Sequence, residues 1–196
     1  MQLFHYHVLT RGVREREEHY RRLGFRLVAR YGTLGGEQVA AGPAQGWDEL
    51  DAGGFRHRLT ELERGGLNVV VQPGRTEEPL VDHIGVLLTP PEQERVLERA
   101  SAAGLRVQDR GGRRTFVATG AGFRLELRTD APPPATPWEV TLATADPGHA
   151  TGALAALVGP PVSDGAVTLG RGCVRFVAGG PEGRPQLVAE RVGAAA

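Results

Sequence analysis

The order strand, helix, strand, strand, strand occurs twice within the first 130 residues, and no other feature constrains the fold as tightly. Residues 3–10, Leu-Phe-His-Tyr-His-Val-Leu-Thr, read as a strand rich in aromatic and branched side chains. Gly12 opens a helical stretch in which Val13, Glu17, Tyr20 and Leu23 share one face, and Gly24 stops it. A strand follows at 25–29. The glycine-rich stretch 32–54 reads as turns or a mobile loop, and strands at 55–62 and 67–72 turn at Gly65-Gly66. The order restarts at 82–89. Pro90-Pro91 suits a helix start, residues 92–103 carry Val96, Leu97 and Ala100 as a buried stripe, and Gly104 closes the helix. A strand at 105–108 and a hairpin of 114–119 with 123–128, turning through Gly120-Ala121-Gly122, complete the second copy.

A third, fainter copy lies beyond a proline-rich linker at 130–137. It has a strand at 139–145, a short helix at 149–158, and strands at 166–169, 174–178 and 186–190. The expected fold class is α+β, with paired βαβββ modules forming an incomplete barrel and a degenerate third βαβββ-like module. The expected division is 1–80, 81–130, a linker at 131–137, and 138–196. The third unit is expected to complete the structure or to pair with its copy, which leaves a homodimer open.

Charge excludes some partners. Lys+Arg and Asp+Glu number 23 each, so no net field draws the chain to nucleic acid or to an acidic membrane. No apolar run approaches the roughly 20 residues of a membrane span. The first residues lack a signal-peptide pattern, and the lone Cys173 forms no internal disulfide and reads as a small packing residue. A cytoplasmic location is the expectation. Gly120-Ala121-Gly122 joins two strands and opens no helix, so it is no dinucleotide fingerprint.

His5 and His83 open the first strands of the two clear units, each seven residues before its helix region at Gly12 or Pro90. Overlaying the last hairpins sets Val70 on Glu126. Strand alternation puts Glu126 with Arg124 and Arg128 on the concave side, opposite Leu125 and Leu127. It likewise puts His5, His7 and Leu9 on one face. A carboxylate between two core leucines is costly unless it is paired or bound to a metal. Two neutral imidazoles and a carboxylate suit a divalent first-row ion and leave positions open for a substrate. Taken singly, each residue has a plainer reading as a core or solvated side chain; the equivalent repeat positions carry the signal. Arginines 110, 113 and 114 read as a solvated loop, with attraction of an anionic substrate as the alternative.

The run Asp82-His83-Ile84-Gly85-Val86, the strand Gly-Leu-Arg-Val at 104–107, and Gly122-Phe-Arg-Leu-Glu126-Leu127 resemble a module of the vicinal oxygen chelate superfamily. His5, His19-Tyr20 and Leu23-Gly24-Phe25 resemble the same motif over the first unit. That superfamily includes glyoxalase I, extradiol dioxygenases and bleomycin-binding proteins. The resemblance implies His5, His83 and Glu126 as ligands of a divalent metal, with iron, manganese, nickel and zinc all open. It implies a metal-dependent enzyme acting on a small substrate with vicinal oxygens; the alternative is a metal-independent antibiotic-binding protein. Glu126 and His7 are the expected catalytic residues, and Asn68, Phe116 and Arg124 the expected substrate contacts. Val70 replaces the second carboxylate of the glyoxalase I pattern. Phe116, with Asn68 or its neighbour, stands where an extradiol enzyme has Tyr and His, and His57 is a further substitute for that His. In the third unit Glu139 takes the first-strand His place and Leu187 falls near the Glu place, so no metal set is expected there.

Overall fold

A computed structural model describes residues 1–109, 114–130, 134–159 and 162–193. The first module runs β1 (Gln2–Thr10), α1 (Val13–Arg22), β2 (Arg26–Leu34), β3 (Glu37–Ala41), α2 (Trp47–Ala52), β4 (Arg56–Arg64) and β5 (Leu67–Pro73). Its strands lie side by side as β1-β5-β4-β2-β3, with β1 parallel to β5. The second module runs β6 (Leu80–Leu87), α3 (Pro90–Ala102), β7 (Val107–Asp109), β8 (Thr115–Ala118) and β9 (Arg124–Arg128). Its order is β6-β9-β8-β7, again with first and last strands parallel. The two first strands, β1 and β6, pair antiparallel at the centre. The architecture is the expected α+β arrangement of βαβββ modules around an incomplete barrel.

The third copy runs β10 (Trp138–Ala143), α4 (Pro147–Val158), β11 (Val162–Ser163), β12 (Ala166–Leu169), β13 (Gly172–Val177) and β14 (Gln186–Val192). Here β13, not β14, is the last strand of the module: it lies parallel to β10, as β5 lies parallel to β1. Strand β14 pairs antiparallel with the other edge of β10, where a next module's first strand would sit. The registers put Arg175 opposite Thr141 as Val70 stands opposite His7, so Arg175 occupies the Glu place. The expectation of Leu187 there is corrected; the two-residue β12–β13 turn and the eight-residue β13–β14 loop look alike until pairing is known.

The stretch 32–54 is ordered, against the loop expectation. Gly35 and Gly36, both at positive φ, make the tight turn of a β2–β3 hairpin. Arg30 anchors the segment between β3 and α2. Its guanidinium forks onto the buried Glu17 carboxylate (Nε to Oε2, 2.8 Å), and its Nη1 donates to the Gln45 carbonyl at 2.7 Å. The glycines therefore encode a turn, and the buried ion pair ties down the return.

One apolar core joins all three copies. Tyr6 of β1 lies 4.4 Å, ring to ring, from Trp138 of β10, and Phe25 lies 6.1 Å from the same indole. Tyr6 and Tyr20 share a hydroxyl hydrogen bond of 2.8 Å. Leu125 and Leu127 are buried in this core, which leaves Glu126 on the opposite, concave side as strand alternation requires. The third copy is also stitched to β6 through Val81 N–H to Pro185 O (2.8 Å) and Leu187 N–H to Pro79 O (2.7 Å). Of the expected linker, residues 131–133 lie outside the described residues; Pro134 and Thr136 are buried.

Candidate metal centre

His5, His83 and Glu126 converge, and each is at most 2 % exposed. The two Nε2 atoms are 3.1 Å apart, and Glu126 Oε2 lies 3.1 Å from His83 Nε2 and 3.8 Å from His5 Nε2. Two β-bulges put them there. The β1–β6 register slips at Phe4 and again at Asp82, so the residue just before each histidine is the extra one. Gly85 faces both His5 and Glu126 across the strands; a Cβ there would fall 2.8 Å from His5 Cβ and 2.7 Å from the Phe4 ring.

Hydrogen bonding assigns the tautomers. Asn68 Nδ2 donates to Glu61 at 2.8 Å, so its Oδ1 faces His5 and accepts from His5 Nδ1 at 2.7 Å. His83 Nδ1 donates to Asp82 Oδ2 at 2.9 Å. Both Nε2 atoms are then bare acceptors aimed at each other and at a carboxylate. Such lone pairs repel unless a cation or proton sits among them. Ligand atoms about 3 Å apart suit neighbouring positions on an ion with bonds of about 2.0–2.2 Å. Oriented Nδ1–H groups are the usual partners of metal-ligating imidazoles.

Electrostatics keep His5 and His7 neutral and Glu126 charged. Burial, then the neighbouring His83, pushes His5 down to about 3. The same two causes push His7 down to about 4. Burial opposes ionisation of Glu126, but the charge and two hydrogen bonds of the Arg114 fork outweigh it and hold the carboxyl below its usual range. Hydrogen bonds from His83 and Arg124 likewise overcome burial at Asp82.

Arg114 corrects the solvated-loop reading for its own position: Nε and Nη2 grip both oxygens of Glu126 at 2.7 and 2.6 Å. Residues 110 and 113 lie outside the described residues. Asn68 orients His5. Phe116 lies edge-on to His83 with centroids 5.2 Å apart, and Arg124 bonds Asp82. His7 Nε2 is buried without a partner among the described residues, its ring 4.8 Å from that of His83. His57 turns away from the centre, bonding Thr60 at 3.0 Å and lining a separate cavity with Trp47. Asp82 and Arg184 were not legible as site residues. Adjacent strand residues normally face opposite ways, and only the bulge puts Asp82 beside His83. Arg184 comes from the loop before β14 and reaches Asp82 at 3.1 Å.

Two cavities meet at the centre. One, of about 430 Å³, is lined by His5, Asn68, Glu61, Glu63 and Glu126 among others. The other, of about 790 Å³, is lined by His7, Asp82, His83, Phe116 and several arginines.

Known structures share this architecture. The fold matches a variant of 4-hydroxymandelate synthase from Streptomyces coelicolor at TM-score 0.57 and 13 % identity, over 90 % of this chain and 62 % of that one. It matches 2,2',3-trihydroxybiphenyl 1,2-dioxygenase from a dibenzofuran-degrading Sphingomonas wittichii at 0.58 and 13 %, over 90 % and 67 %. It matches a Mn(II)-bound glyoxalase from Novosphingobium aromaticivorans at 0.56 and 12 %, over 95 % and 63 %. The chain thus spans about two thirds of the length of each. No family model and no curated protein matches the sequence. The chain shares the fold of these synthase, dioxygenase and glyoxalase structures. At this level of identity the match defines the architecture, and the chemistry rests on the residues of the centre itself.

Proposed function

We propose that this protein is a metal-dependent enzyme of the glyoxalase or extradiol-dioxygenase type, acting on a small substrate with neighbouring oxygens. One observation carries the reading: two imidazole lone pairs and a carboxylate, each fixed by a second hydrogen-bonding partner, converge within 3.8 Å. His5, His83 and Glu126 would hold a divalent ion, which when bound supplies Lewis acidity to a chelating substrate. Asn68 and Asp82 hold the imidazole rings in the ligating tautomer. Arg114 pairs with both oxygens of Glu126 and is itself 45 % exposed. His7 is neutral near pH 7 and unpartnered, so it is suited to take a proton from a substrate hydroxyl or acidic carbon at Nε2. Phe116 forms an apolar wall beside His83 and excludes water from that side.

Metal-free antibiotic sequestration calls for an apolar, aromatic cleft. The two cavities here are lined largely by charged and polar side chains, which favours the metal-dependent reading. Elemental analysis of the purified protein is the test, with about one divalent ion per chain expected and none in His83→Ala. Oxygen uptake on catechol with ferrous iron then selects ring cleavage; turnover of a hemithioacetal with nickel or zinc selects isomerase-type chemistry. Wild-type protein that binds no divalent metal at micromolar concentration would overturn the proposal.

A further inference from the structure

The two cavities beside the candidate centre differ in charge. The smaller mixes arginines with Glu61, Glu63 and Glu126. The larger is lined by Arg58, Arg75, Arg114, Arg124 and Arg184, with Asp82 as its lone acidic residue among the described ones. Arg124 and Arg184 both bond Asp82, so that carboxylate offsets one of their two charges. Arg114 is matched by Glu126. Arg58 and Arg75 have no ion pair among the described residues. Two of the guanidiniums lie over Phe116, Arg114 at 5.2 Å and Arg124 at 4.9 Å from the ring centre, and the ring holds them in the cavity wall. The wall is assembled from distant parts of the chain, with Arg58 on β4, Arg124 on β9 and Arg184 between β13 and β14.

Self-repulsion among like charges around a concave space is unfavourable unless an anion answers it, and a low-dielectric cleft strengthens the attraction for one. We infer that the larger cavity binds an anionic oxyacid group, carboxylate or phosphoryl, on the same substrate whose neighbouring oxygens face His5, His83 and Glu126. The third copy is then part of the binding site, because it supplies Arg184. Guanidinium forks match the two oxygens of either group; Arg58, which has no ion pair among the described residues, stands free to close on it, and Arg184 lies beside it in the wall. This inference rests on the metal-centre reading for the second half of the substrate only; the anion site stands by itself.

The test therefore has a metal-free arm and a loaded arm. Calorimetric titration of the full chain, stripped of metal, with benzoate and with inorganic phosphate is expected to show saturable binding of at least one. The tighter of the two identifies the group. Arg58→Gln and Arg184→Gln are each expected to weaken it at least fivefold, while Glu139→Ala, exposed on the third copy and lining neither cavity, leaves it within about twofold. In the metal-loaded protein, 3,4-dihydroxybenzoate is expected to bind at least tenfold more tightly than catechol, with the ratio collapsing in the Arg58→Gln, Arg184→Gln double variant. Absence of saturable binding of both anions to wild-type protein, or equal affinity in wild type and both arginine variants, overturns the inference. If metal uptake fails while anion binding persists, the centre was misread and the anion site was not.

Discussion

The β1–β6 pair and the β10–β14 pair are built alike but present different side chains at matching positions. Each is an antiparallel pair of strands flanked by a parallel partner, with a register slip in the second strand, at Asp82 in one and Val188 in the other. Aligning the slips puts Glu139 in the place of His5, Thr141 in that of His7 and Ala189 in that of His83. The first pair is closed over by β4, β5, β8 and β9 from two sides. Glu139 and Ala189 instead stay exposed. The candidate ligand set thus lies where the concave face is shut off from water, and no such set lies where it is open among the described residues. Burial makes a carboxylate and two bare imidazoles a strong demand for a cation, and the same groups in water would make a weaker one.

The contrast between the pairs is open to direct attack, and the largest effect comes from the ligands. His83→Ala is expected to abolish metal content, whereas Glu139→Ala leaves it unchanged; elemental analysis of both variants decides. Equal content in the two would erase the distinction between the pairs. The next largest effect tests whether the two regions are one body. Trp138→Ala is expected to cost about 3–5 kcal/mol in urea unfolding, since the indole is buried between Tyr6 and Phe25. Fluorescence and backbone dichroism should lose their native signals together; separate transitions would mean the third copy folds on its own.

A smaller effect sharpens the role of the orienting groups. Asn68→Ala and Asp82→Asn are each expected to lower metal affinity about 10–100-fold with little change in fold, measured by competition with a chelator. The smallest effect is in pH. Burial pushes His57 down to about 4 from its ordinary 6.5. The unfolded chain therefore takes up that proton near 6.5 and the folded chain only near 4. Stability from this group is full above that window and falls as pH drops through it. A melting-temperature loss of about 2–4 °C per kcal/mol is expected in wild type and a flatter profile in His57→Gln.

The repeated element order was legible because period and punctuation are local. Strand alternation at His5 and Glu126, the proline start of α3 and the glycine ends of α1 and α3 need only neighbouring residues to act. The convergence of His5, His83 and Glu126 was legible as well, through equivalence of repeat positions. The glycine-rich stretch failed as a loop, since Gly35-Gly36 is a tight turn between adjacent strands and the Arg30–Glu17 pair that anchors it lies outside the stretch.

By itself, the sequence determined which side chains could share a face and how often the module recurs, because both follow from geometry within a few residues. Tertiary structure decided what those side chains meet. The Asp82 bulge, the Arg114 fork on Glu126, the reach of Arg184 from the third copy and the placing of β14 beside β10 all depend on contacts between strands far apart in the chain. Strand pairing and burial are set by the whole sheet, and no window of sequence contains them.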